Sequence, residues 1–245
     1  MNSTVSISVP AAMAAIAISY FNPAYVHSAT LIHHYDFSSG VNDLVGSANG
    51  VLLGNASVSS GSLNLDGDGD WVQFDSQLVP SSGSFSVALF GLRTSDLSNY
   101  TEMISQGSSG PGFYIGTDPT GKIRLGDQWP STGVNFGAVG ILTHYALVAD
   151  ASTGSSKLFV DGQLVASLAS AINGSSGGTN TRLGRQFDPY GEYFMGSVDD
   201  VRIYSGALTA SEVVALANSI PEPATYGLFA IGLAFIWAKA RRSVS

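Results

Sequence analysis

Short runs rich in Val, Ile, Leu, Phe and Tyr recur along the chain, separated by clusters of Gly, Ser, Asn, Asp and Pro. Several of these runs alternate apolar with polar positions, as in S-L-N-L at 62–65 and W-V-Q-F at 71–74. Period-two alternation puts one side chain in a core and the next in water, the pattern of a half-buried strand. Strands are therefore predicted at 31–37, 62–65, 71–74, 85–92, 101–106, 112–116, 122–125, 142–150, 182–184 and 194–204. The clearest local element lies at 157–166, where K-L-F-V and Q-L-V-A flank Asp161-Gly162. Asp-Gly between two apolar strands specifies a two-residue type I′ hairpin, because both positions need positive φ. One short helix is expected after Thr209, which with Glu212 forms the T-x-x-E capping box ahead of V-V-A-L-A. Many short strands spaced by turns predict an all-β, two-sheet antiparallel sandwich.

The last predicted strand carries an anomaly. Its sequence F-M-G-S-V-D-D-V-R-I-Y holds two adjacent carboxylates, Asp199 and Asp200. Neighbouring side chains on a strand face opposite ways, so both acids reach solvent only if the strand is bulged or ends there. A carboxylate turned inward needs a cation, an arginine or backbone N–H donors. Upstream, Asp66-Gly67-Asp68-Gly69-Asp70 has the look of a calcium loop but lacks its geometry. Counted from Asp66, the sixth and twelfth positions hold Trp71 and Gln77 instead of the Gly and Glu that an EF-hand requires. That segment reads as a Gly-Asp turn.

Composition narrows the function classes. Charged residues make up 11% of the chain, there are 29 glycines, and the formal net charge is −8. Phosphate binding needs a basic face, so nucleic acid is excluded as a partner. The absence of cysteine removes disulfides, thiolate nucleophiles and Cys-ligated metals.

The two ends read as sorting devices. Residues 1–29 contain an apolar stretch at 9–21 followed by small residues, a signal-peptide pattern whose n-region nevertheless lacks Lys and Arg. At the other end, Pro221-Glu222-Pro223 precedes an apolar run at 224–238 and the basic Lys239, Arg241 and Arg242. This order resembles the PEP-CTERM tail, which implies processing by an exosortase-type enzyme and delivery to the cell surface or extracellular matrix. A run of that length spans about 22 Å as a helix against a hydrocarbon core of ~30 Å, which favours transient arrest over a comfortable permanent anchor. The basic end stays cytoplasmic by the positive-inside rule. The chain thus divides into 1–29, 30–218 and 219–245, the last ending in a short hydrophobic helix.

Between the two ends, G-S-V-D-D-V-R-I-Y-S-G-A-L-T-A-S-E-V resembles the closing strand of laminin-G-like jelly rolls, in the concanavalin A-like lectin and glucanase superfamily. L-D-G-D-G-D-W-V, F-S-V-A, H-Y-A-L-V, K-L-F-V-D-G and L-G-R match further in order. The resemblance implies a jelly-roll sandwich in which the first loop shares a structural calcium with the acidic step. Carried over by residue, the ligands are Asp43, Asn49, Asp199 and Asp200, hard oxygens of the type calcium takes. The alternative is that Asp43 and Asn49 make Asx turns while Arg202 or backbone satisfies the acidic pair.

For a glycan, the candidate residues are Trp129, Asp127 and Asn135 in the 126–140 loop, with Tyr190 and Glu192 second. An aromatic face takes the C–H side of a sugar and amides or carboxylates take its hydroxyls; equally, Trp129 can tuck beneath its own loop. Glycosidases of this superfamily commonly carry E-x-D-x-E on one strand, and the sequence has none. Its four glutamates are Glu102, Glu192, Glu212 and Glu222, and spacing does not pair Glu102 with Glu192. His33 and His34 fall on opposite faces of their strand, predicting one packed and one exposed. The expectation is a non-catalytic, exported binding or adhesion module for exopolysaccharide, against a purely structural matrix protein or a polysaccharide hydrolase or lyase.

Overall fold

A computed structural model describes residues 29–96, 98–107, 112–174, 178, 180–187 and 189–219. The expected signal segment, apart from its last residue, and the sorting tail beyond Ser219 lie outside the described residues. In chain order the strands are β1 (Thr30–Tyr35), β2 (Val51–Leu53), β3 (Ser57–Ser59), β4 (Ser62–Asp66), β5 (Trp71–Phe74), β6 (Phe85–Arg93) and β7 (Thr101–Gln106). They continue as β8 (Phe113–Thr117), β9 (Ile123–Leu125), β10 (Thr143–Asp150), β11 (Ser155–Val160), β12 (Gln163–Leu168), β13 (Thr181–Leu183) and β14 (Met195–Ser205). A helix, α1 (Ala210–Asn218), follows.

Two antiparallel sheets face one another. The larger runs β12-β11-β10-β6-β14-β4-β3 with β1 added against β14, and the smaller runs β2-β5-β13-β7-β8-β9. Their inner faces contribute Tyr35, Leu63, Val72, Phe74, Phe85, Val87, Leu89, Ile104, Phe113, Tyr145, Leu147 and Ile203 to one core. Helix α1 lies on the outer face of the larger sheet, where Val213 and Leu208 pack with Ala88, Ala146, Phe159 and Tyr204. Its capping box is closed: the Thr209 amide donates to Glu212 Oε2 at 2.7 Å, and the Glu212 amide donates to Thr209 Oγ1 at 3.3 Å. The hairpin turn behaves as its sequence requires, with φ of 47° at Asp161 and 76° at Gly162.

The acidic step is a β-bulge. Asp199 pairs with Phe90 and Arg202 with Ala88, so two residues, Asp200 and Val201, stand against Leu89 alone. Asp200 takes a φ of 46°, in the left-handed region that Asp tolerates better than most residues. The bulge falls where β14 changes partner, from β4 across Met195–Val198 to β1 across Val201–Ser205. One carboxylate serves each neighbour. Asp199 Oδ2 accepts from Ser62 Oγ of β4 at 3.3 Å, and Asp200 Oδ1 meets His34 Nε2 of β1 at 2.7 Å. The two histidines correct the expectation of one packed and one exposed. Both are half-buried and both are paired, His33 Nδ1 with Asp43 Oδ2 at 2.6 Å.

Candidate functional site

The outward face of the smaller sheet is where polar residues gather out of solvent. On β7, β8 and β9 the residues Glu102, Gly116 and Arg124 lie in register across three strands. Gly116 is the enabling residue, since a Cβ there would sit 1.8 Å from Glu102 Oε2. With that space open, Glu102 and Arg124 meet above it, Oε1 to Nη1, at 3.2 Å. Glu192 closes the group from the loop before β14, its Oε2 at 3.4 Å from the same Nη1. That loop is held to the sheet by the Glu102 amide, which donates to the Glu192 carbonyl at 3.0 Å. The guanidinium lies against both the Tyr100 and Tyr114 rings, at 4.3 and 4.4 Å from their centroids. Cation–π contacts of this kind strengthen as water is excluded.

The charges in this group are unequal. Glu102 has no exposed surface, and burial pushes its carboxyl well above the ordinary carboxylate range. The Arg124 guanidinium opposes that rise, while the like charge of Glu192 adds to it. Burial therefore disfavours the ionised form of Glu102, while the part-exposed Glu192 meets the same guanidinium.

Above the triad opens a cleft of about 510 Å³, bordered by Asp96, Asn99, Tyr100, Tyr190, Glu192 and Tyr193. Tyr190 is 64% exposed and Tyr100 45%, and both line the cleft. Tyr193 links this cleft to a second aromatic–arginine stack. The Arg185 guanidinium lies 4.7 Å from the Trp71 ring and 5.2 Å from that of Tyr193.

Of the glycan candidates named from sequence, Tyr190 and Glu192 line this cleft. Trp129 is corrected: it is 8% exposed and belongs to the core between the sheets, so its faces are covered by protein. Its loop folds inward because the Leu125 amide donates to the Trp129 carbonyl at 3.0 Å, turning the ring under the chain. Asp127 is occupied in holding that loop, accepting from the Gly112 amide and the Tyr114 hydroxyl, each at 2.7 Å. Asn135 accepts from Lys122 Nζ at 2.6 Å and is no part of the cleft.

The proposed calcium ligands also separate. Asp43 accepts from the amides of His34, Val45, Gly46 and Ala48 besides the His33 ring, and Asn49 Oδ1 accepts from the Asp43 amide at 2.9 Å. Although burial works against it, the His33 ring and the Gly46, His34 and Val45 amides hold the Asp43 carboxyl below its usual range. Asp200 Oδ1 is taken by Arg202 Nε at 2.8 Å as well as by His34. Among the described residues, no group of three or more His, Cys, Asp or Glu is placed to hold a metal ion. A cation here would face N–H donors and a guanidinium, so this donor set does not fit calcium. Two Asp–His pairs tie the first loop and β1 to the closing strand.

A model of the concanavalin A-like lectin/glucanases superfamily, Laminin_G_3, matches residues 66–214, more than half of the chain. The chain belongs to this superfamily. The match spans β5 to α1 and includes the bulge, the triad and the cleft. A PEP-CTERM protein-sorting motif matches residues 219–243. No curated protein matches the chain. Among solved structures, domain 4 of AbnA, a GH43 extracellular arabinanase from Geobacillus stearothermophilus in complex with arabinotriose, superposes with a TM-score of 0.65 at 25% identity, covering 78% of this chain and 99% of that one. The receptor binding domain of botulinum neurotoxin C/D mosaic serotype gives a TM-score of 0.61 at 17% identity, over 78% of this chain and 51% of that one. Trypanosoma rangeli sialidase, in complex with 2,3-difluorosialic acid, gives 0.60 at 16% identity, over 78% and 33%. The last two likenesses concern the sandwich fold alone.

Proposed function

We propose that this superfamily member is an exported surface or matrix module that binds a neutral polysaccharide in the Tyr100–Tyr190–Tyr193 cleft without cleaving it. The observation that carries the reading is the cleft itself, where exposed aromatic rings stand beside amide and carboxylate groups. That pairing of apolar faces with a few polar anchors is what a sugar ring requires. The arabinotriose complex of AbnA domain 4 supports a sugar ligand on this fold, and the sorting motif supports export with exosortase-type processing. Neutral sugars are favoured because the mouth carries Asp96 and Glu192, while Arg124 and Arg93 are already engaged by carboxylates. An acidic polymer would meet like charge there.

Hydrolysis is the weaker reading, for a geometric reason. Paired glycosidase carboxylates flank the scissile bond about 5–9.5 Å apart. Here Glu102 is fully buried, lies outside the cleft lining and shares one guanidinium nitrogen with Glu192. The test is co-sedimentation of the full chain with insoluble arabinan and with the host's own matrix polysaccharide, alongside Tyr190→Ala and Tyr193→Ala. Saturable binding that both substitutions weaken about tenfold, with polymer length unchanged, supports the proposal; stacking contributes roughly 1 kcal/mol or more per ring. Binding unaffected by both substitutions removes the cleft, and shortened polymer removes the non-catalytic reading. Absence of binding to either polymer moves the protein to a structural role.

A further inference from the structure

Large apolar side chains are exposed in three segments that the fold brings to one end of the sandwich. Val139 (44% exposed), Ile141 (57%) and Leu142 lie in the loop before β10, Leu164 (52%) just past the β11–β12 turn, and Val214 on α1. The turn is paired to the start of β10, since the Asp161 amide donates to the His144 carbonyl at 2.9 Å. The helix passes beside the same turn, because a Cβ on Gly162 would lie 3.2 Å from Val214 Cα. At its other end α1 is tied to β6, where the Leu208 amide donates to Ser86 Oγ at 2.9 Å. The helix therefore runs back along β10 and releases the chain, after Ser219, at the end that carries these side chains.

Two facts identify what meets this patch. Segments 137–142, 162–168 and 213–219 contain no Asp, Glu, Lys or Arg. Beyond them, residues 220–223 reach at most about 14 Å when fully extended, and then the apolar run 224–238 begins. An apolar end of the domain, with Asp161 as the charged residue of its turn, is thus held within a short tether of the segment that the sorting motif directs to the membrane. Gly140 holds the loop to the end of β6, its amide donating to the Arg93 carbonyl at 2.9 Å and its φ of 74° being one that glycine adopts without strain. We infer that the 137–142 loop, with Leu164 and Val214 beside it, seats in the interface of a lipid bilayer and orients the domain while the tail is anchored. Arg93, which donates to the Gly137 carbonyl at 2.6 Å, is paired with Asp96, so this seating is hydrophobic rather than electrostatic.

The cysteine-free chain allows a direct test. Ile141→Cys and, at the opposite end of β10, Ala151→Cys are each labelled with an environment-sensitive fluorophore in the full chain. Each is reconstituted into phosphatidylcholine/phosphatidylglycerol vesicles. The inference expects blue-shifted emission at position 141, quenched by a lipid-borne nitroxide and protected from iodide, with the reverse at 151. Equal iodide quenching at both positions overturns it. A blue shift at 141 before vesicles are added, with no nitroxide quenching afterwards, also overturns it, because the patch is then covered by the chain's own tail or a second copy. Nitroxide quenching at both positions shows contact without orientation and refutes the proposal as well.

Discussion

Replacing Asp199 by Asn tests the account of the bulge. Asp199 is 5% exposed and its carboxylate accepts two hydrogen bonds, from the Asp200 amide at 2.6 Å and from Ser62 Oγ at 3.3 Å. These do not compensate for lost hydration, and burial pushes the carboxyl up to about 7 from 3.8. The sign follows from linkage. A carboxyl whose folded value lies above its unfolded value binds more protons in the fold, so its contribution is fully present below about pH 3.8 and lost as pH rises through about 7. At about 1.4 kcal/mol per unit, the ionised carboxylate costs up to about 4 kcal/mol above pH 7. An asparagine keeps the shape, accepts from the Asp200 amide through Oδ1 and offers Nδ2 to Ser62. The expected result is a variant more stable than the parent by about 2–4 kcal/mol at pH 8.5, with the gap closing below pH 4. Urea unfolding at pH 4, 5.5, 7 and 8.5 reads it as a rise in midpoint at constant m-value. A variant equally or less stable at pH 8.5 would refute the reasoning, since the ionised carboxylate would then be satisfied in the fold by a partner such as a bound cation.

His144 works in the same window with the opposite sign. It is 1% exposed, packs edge-on to Phe90, and burial pushes its imidazole down to about 4. Its contribution is present above about pH 6.5 and lost as pH falls through about 4, so His144→Phe should flatten the acid limb of the unfolding profile; an unchanged limb would show that the ring does not titrate there. Because burial disfavours the ionised form of Glu102, Glu102→Gln should change stability by less than about 1 kcal/mol, whereas Gly116→Ala should cost about 3 kcal/mol or more by driving a Cβ into Glu102 Oε2; thermal melts that rank them the other way would refute the triad geometry. Chelation with EDTA should leave the melting temperature unchanged, given the N–H donors around Asp43 and Arg202 at Asp200; a drop of several degrees reversed by calcium would restore the shared ion.

What could be read in the sequence was what local rules determine. The Asp161-Gly162 turn, the Thr209–Glu212 box and most strands follow from period, φ preference and capping within a few residues. The bulge was legible too, because adjacent carboxylates contradict strand alternation wherever the strand is placed. Its partners were only half legible. His34 and Ser62 reach Asp200 and Asp199 from β1 and β4, and nothing in their own surroundings marks them as its neighbours. The short strands β2 and β3 carry too few residues for a period to register. Trp129 misled because an aromatic residue in a loop can face the core or the solvent, and loop length does not decide which.

The glutamate–arginine triad shows why a site can be invisible in one dimension yet well determined in three. Glu102 and Glu192 are far apart in the chain, and each alone looks like a surface residue. The informative position was Gly116, a glycine inside a strand, which weakens the strand unless another group needs the space its side chain would fill. Once β7, β8 and β9 are in register, that space fixes Glu102 against Arg124, and two tyrosine rings pack on the guanidinium. With Glu192 and Glu102 against it and two tyrosine rings beside it, Arg124 supports the cleft from outside its lining rather than waiting for an anion. The recognition surface is thereby left to Tyr100, Tyr190 and Tyr193, which is why ring removal, and not charge reversal, is the decisive perturbation of the proposed glycan site.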